Sequence, residues 1–130
     1  ILSFDSTGNT ATLTNAGAWS DASDVSYKEN IVDITYGLDA VKAMKPRKYK
    51  VKSDDSNAIG FIAQEMESII PEVVNGEDGS KGIAYGQLTA VLVKAIQEQE
   101  EQIEKVEEEN KWLKSRLDVL ADRVEDLENK

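Results

Sequence analysis

The 130-residue sequence contains no cysteine and no histidine. The first absence excludes disulfides, a thiol nucleophile and a zinc knuckle. The second excludes Ser-His-Asp hydrolysis and histidine-ligated metal centres. Any proton transfer must therefore use lysine, a carboxylate, tyrosine or water. Positive charge is also scarce: 15 Lys plus Arg face 25 Asp plus Glu, a formal net charge of −10. So acidic a chain is repelled by phosphate backbones and anionic lipid, so nucleic acid is not expected as a partner. Long apolar runs are missing too. The longest, around Leu88 to Ile96, is interrupted by polar residues and falls far short of the roughly 20 residues that span a bilayer. No membrane association, metal or cofactor is expected. The chain opens at Ile1 with no initiator Met and no basic leader, so it reads as a piece of something larger.

What is present falls into three stretches, which predict an α+β protein. Residues 1–22 are small, polar and strand-like, with turns at Ser6-Thr7-Gly8-Asn9 and at Asn15-Ala16-Gly17. They carry too little apolar surface to fold alone and read as the end of an upstream β structure. Residues 23–86 form a small mixed body of helices and hairpins. Its expected parts are a helix over Ile31–Met44, weakened by Gly37, then a strand over Lys48–Lys52 after Pro46. A second strand over Ala58–Ala63 and a helix over Gln64–Ile70 stopped by Pro71 follow. A hairpin over Glu72–Gly86 turns at Asn75-Gly76-Glu77-Asp78-Gly79.

Residues 87–130 change to a period of seven. Position a falls on Thr89, Ile96, Ile103, Asn110, Leu117 and Val124; position d on Leu92, Gln99, Val106, Leu113, Leu120 and Leu127. Nine of these twelve sites are apolar, and no Gly or Pro occurs from Leu88 to Lys130. This predicts a coiled-coil helix roughly 60 Å long. Glu98–Lys130 holds twelve acids and six bases, hence −6 of the total −10, read as a solvated exterior. Calcium binding by Glu107-Glu108-Glu109 is rejected, because successive helical residues point in different directions and no ligand loop exists. Asn110 and Gln99 as polar core layers point to a dimer. Arg123-Val124-Glu125-Asp126-Leu127-Glu128 points to a trimer: it resembles a three-stranded motif in which Arg packs over the core and pairs with a neighbouring Glu. Trp112 lies at a c site, outside the seam, and Trp19 is expected at the junction of the first two stretches. The basic cluster Lys42, Lys45, Arg47, Lys48, Lys50 and Lys52 could hold a polyanion or simply be a solvated helix end and strand. No Walker-type phosphate loop accompanies it.

Read without outside comparison, Ser23-Asp24-Val25-Ser26-Tyr27-Lys28-Glu29-Asn30-Ile31 is a polar turn with a Ser or Asp cap. Its pattern Ser23-Asp24-x-x-x-Lys28-x-Asn30-Ile31 resembles the opening of the C-terminal intramolecular chaperone auto-processing domain of phage tailspikes, tail fibres, neck appendages and endosialidases. Further blocks follow in order: Leu38 to Tyr49, Gly60-Phe61-Ile62-Ala63-Gln64-Glu65 with Pro71-Glu72-Val73-Val74, and Ile83 to Glu98. The resemblance covers about residues 23 to 100. Ala84 departs from it, since the family more often has an acidic residue before Tyr.

The resemblance implies a homotrimer with a parallel trimeric coiled coil, whose client is its own upstream β region. It also implies a single-turnover self-cleavage of the Ala22-Ser23 bond, with Ser23 as nucleophile and Lys28 as general base. Asp24, Asn30, Gln64 and Glu65 are candidate supports for that site. The trimer core would comprise Ile96, Ile103, Val106, Asn110, Leu113, Leu117, Leu120, Val124 and Leu127. Assembly would occur in a host cytoplasm, leaving the parent protein on a virion tail and this domain released. The rival implications are a permanent trimerisation and attachment module that is never cut, and a receptor-binding fibre tip. Ser20 and Ser26 are poorer nucleophile candidates: Val25 stands five residues after Ser20, and Ser26 is only two before Lys28.

Overall fold

The computed structural model describes residues 11–13 and 15–130 and divides into two units, Ile1–Asp33 and Ile34–Lys130. The turn expected at Ser6-Thr7-Gly8-Asn9 lies outside the described residues. In the first unit, β1 (Thr12–Leu13) pairs antiparallel with β2 (Trp19–Ser20), with Leu13 opposite Trp19. The chain reverses through the Asn15-Ala16-Gly17 segment, where Gly17 takes a φ of 80°. Beyond β2 the unit contains one 3-10 turn, Val25–Tyr27.

The second unit is a set of short helices and two hairpins followed by one long helix. α1 (Leu38–Ala43) leads into β3 (Arg47–Lys50), which pairs antiparallel with β4 (Asn57–Gly60). α2 (Ala63–Glu67), a 3-10 turn (Pro71–Val73) and the hairpin of β5 (Val74–Asn75) with β6 (Gly82–Ile83) follow. α3 then runs from Tyr85 to Glu128. At about 1.5 Å per residue its 44 residues extend roughly 65 Å. The result is an α+β protein in which a small hairpin-rich body precedes a long C-terminal helix. None of the helices among the described residues is long and apolar enough to cross a membrane.

Several elements depart from the sequence pattern: the strand expected over Ala58–Ala63 ends at Gly60, with Ala63 opening α2, and two helices are shorter than expected. The helix expected over Ile31–Met44 is confined to Leu38–Ala43. Ile31, Val32, Ile34 and Thr35 are β-branched, which disfavours helix, and α1 begins where an outside group caps it. The Leu38 amide donates to Glu98 Oε2 of α3 at 2.7 Å. Gly37 leaves room for this contact, since a Cβ there would displace the Glu98 carboxylate from its present position. The helix expected over Gln64–Ile70 stops at Glu67. Pro71 disfavours helical backbone in the residue before it, and Ile70 sits at φ −138°, ψ 85°.

The core is the buried Met66, Ile70, Val73, Leu88, Val91 and Ala95, with Tyr36, Val41, Met44, Phe61 and Ile83 packed around the cluster. α3 contributes Leu88, Val91 and Ala95, which are g, c and g positions of its heptads. The a and d positions are left outside. The nine apolar seam residues from Leu92 to Leu127 are each between 46% and 66% exposed. One helix thus carries two apolar faces, one filled by the body and one unfilled in the single chain.

Candidate active site

Ser23 and Lys28 meet. Lys28 Nζ donates to Ser23 Oγ at 2.7 Å and to the Ser23 carbonyl at 3.0 Å. The intervening chain makes this possible. Asp24 has extended backbone (φ −61°, ψ 144°), Val25–Tyr27 make a single 3-10 turn, and Lys28 is extended again (φ −122°, ψ 142°). Two backbone bonds close the turn, Tyr27 N to Asp24 O at 3.2 Å and Lys28 N to Val25 O at 3.1 Å. Asp24 caps it, its Oδ1 accepting from Ser26 N at 2.8 Å. Hydrogen bonding from the Ser26 side chain first, and from its amide second, holds the Asp24 carboxyl below its ordinary range; the Lys28 charge lowers it least.

Asn30 takes a left-handed φ of 53°. Asn is among the few residues that adopt this region readily. Its observed part is therefore a backbone one, bending the chain out of the turn. The apolar side chains in the turn and just after it in sequence are uncovered: Val25 is 70%, Tyr27 55%, Ile31 67% and Val32 82% exposed.

Glu65 and Gln64 belong to the other unit. Glu65 is engaged bidentately by Arg47, Nε to Oε2 at 3.0 Å and Nη2 to Oε1 at 2.5 Å. The Arg47 hydrogen bond holds the Glu65 carboxyl below its usual range. The pair ties α2 to the first residue of β3. Gln64 is exposed on α2. Sequence spacing missed the partner of the Gly60 block. Phe61 N donates to Tyr85 Oη at 3.0 Å, and a Cβ on Gly60 would stand 2.6 Å from that hydroxyl. Phe61 and Tyr85 are thus spatial partners 24 residues apart, and Gly60 admits the tyrosine. Among the described residues, no cluster of acidic side chains could hold a metal ion.

The basic cluster is partly neutralised. Besides Arg47, Lys50 pairs with Asp55 at 2.8 Å and Lys42 with Asp39 at 3.4 Å. These exposed pairs suit a solvated surface.

Residues 23–75 match the family model of the peptidase S74 family, chaperone of endosialidase. The match opens at Ser23 and closes at Asn75, so the helix and the Tyr85 block lie beyond it. It supports an intramolecular chaperone domain in this part of the chain. No curated protein matches the chain significantly.

Proposed function

We propose that this chain is a trimerising intramolecular chaperone for an upstream β-structured fibre or spike, and that it releases itself by cutting the Ala22-Ser23 bond. The observation that carries the proposal is the 2.7 Å contact between Lys28 Nζ and Ser23 Oγ. The opening of the family match at Ser23 supports it.

The chemistry follows from these two side chains. As a neutral amine, Lys28 accepts the Ser23 hydroxyl proton through the same contact while Oγ attacks the Ala22 carbonyl carbon. The Ala22-Ser23 amide bond breaks as the Ser23 nitrogen takes a proton, leaving Ala22 joined to Oγ as an ester. Water then splits the ester, giving an Ala22 carboxylate and restoring the hydroxyl. A lysine amine has a reference pKa of about 10.4, so it serves as a base near neutrality only when desolvated or set beside positive charge. The uncovered Val25, Tyr27, Ile31 and Val32 supply apolar cover once assembly buries them. Cutting is then coupled to assembly.

The unfilled a/d seam of α3 supports association of copies. A parallel alignment pairs Glu109 at g with Lys114 at e, and Arg123 at g with Glu128 at e. A coiled coil at one end raises the effective concentration of the client strands and aligns them, which long-range β pairing otherwise achieves slowly.

The test is Ser23→Ala in the chain expressed with its upstream region. Wild type is expected to yield a fragment beginning at Ser23 on a denaturing gel, with its mass confirmed. Ser23→Ala and Lys28→Ala are expected to lower the cleavage rate by at least about a thousandfold, as for loss of an essential nucleophile or base. Wild type that assembles yet stays whole favours the permanent trimerisation module instead.

A further inference from the structure

A separation of five residues brings side chains together in no regular element. On an α-helix such residues point about 140° apart, and on a strand an odd offset places them on opposite faces. Ser23 and Lys28 meet only because one 3-10 turn is set between two extended residues. That turn spans three residues and is held by two backbone bonds of 3.1 and 3.2 Å. So short a unit has little stability of its own, since the first turn fixes several dihedrals for one or two bonds. Its remaining support at the N-terminal end is the Asp24 carboxylate on Ser26 N at 2.8 Å.

We infer that Asp24 is a positioning residue for self-cleavage: by capping the Val25–Tyr27 turn it folds Lys28 back onto the Ser23 hydroxyl. The inference rests on the reading of Ser23 and Lys28 as the processing pair. A direct electrostatic role on Lys28 is the competing explanation. Geometry favours the cap, because the Asp24 oxygen is committed to an amide and Lys28 Nζ to the two Ser23 oxygens.

The experiment separates cap from charge. Asp24→Asn and Asp24→Ser keep a side-chain acceptor and remove the charge, whereas Asp24→Ala removes both. Cleavage of the full chain with its upstream region is followed in time for each. Losing a cap of ordinary strength corresponds to roughly a fivefold slower rate for Asp24→Ala, with Asp24→Asn and Asp24→Ser within about twofold of wild type. Asp24→Ala cutting as fast as wild type overturns the inference, and so does Asp24→Asn as slow as Asp24→Ala. Either result leaves the Ser23–Lys28 reading standing, whereas uncut wild type removes both. A second measurement does not depend on cutting. In the intact Ser23→Ala background, the Ser26 amide proton resonance is expected to move in Asp24→Ala and to stay near its place in Asp24→Asn; an unmoved resonance in Asp24→Ala overturns the inference.

Discussion

Single residues in this fold are chosen largely by what must come close to them. Gly60 leaves room for the Tyr85 hydroxyl, and Gly37 for the Glu98 carboxylate. Ala84 is the opposite case, a place where a better residue is available. It occupies the N-cap of α3 with no side-chain cap, and no acid lies in the first turn. An acidic residue there can accept from the free amides of that turn and complement the helix dipole. Ala84→Asp is therefore expected to stabilise the protein by about 1 kcal/mol, read as a higher denaturant midpoint at unchanged slope. An unchanged or lower midpoint shows that the φ −78°, ψ 78° backbone at Ala84 keeps the carboxylate from the amides. The resemblance exposed this departure in the sequence, but only the structure shows what the missing carboxylate would do.

At the scale of elements, legibility followed the range of the interaction that sets each boundary. The seven-residue period of α3 repeats locally, so the helix could be read directly. The turn at Asn75–Gly79 is local for the same reason, whereas Pro71 signals that α2 must stop without showing that it stops as early as Glu67. The start of α1 is set by Glu98, sixty residues away, and no pattern near Leu38 contains that carboxylate. The Ser23–Lys28 contact was legible only as a spacing borrowed from a family, because an offset of five belongs to no regular element. The double use of α3 was not legible either. Leu88, Val91 and Ala95 look like stray apolar g and c residues until the body is seen to cover them. This division makes a separable prediction. Leu120 is a d residue far along the helix from the body-packing turns and is 49% exposed in the single chain. Leu120→Asp would place a carboxylate from each copy in the seam, a cost of at least about 3 kcal/mol. Association is expected to weaken by at least about a hundredfold in sedimentation, while the unfolding of the Met66–Val91 core persists. An intact oligomer in the variant shows that the seam is not the interface.

For the molecule as a whole, the charge of −10 bears on assembly more than on ligands, because −6 of it lies between Glu98 and Lys130. Bringing three such helices side by side sets 36 acids against 18 bases, three times the twelve and six of one chain. Parallel pairs between Glu109 and Lys114, and between Arg123 and Glu128, recover part of this repulsion, but exposed pairs contribute about 1 kcal/mol or less each. The surplus acids act over the same distances and are more numerous, so net repulsion governs the response to salt. The Debye length is about 30 Å at 0.01 M and about 8 Å at 0.15 M. Raising salt across that range screens neighbouring helices from one another along much of their length. The proposed trimer is therefore expected to dissociate at a higher temperature in 0.15 M than in 0.01 M sodium chloride, as measured by circular dichroism at a fixed chain concentration. Charge-reversed Glu108→Lys, at an f position outside those pairs, should reduce that dependence, since it changes the net charge of each helix by two. A midpoint that falls with salt means instead that the interchain pairs, and not the surplus acids, dominate the electrostatics of the rod.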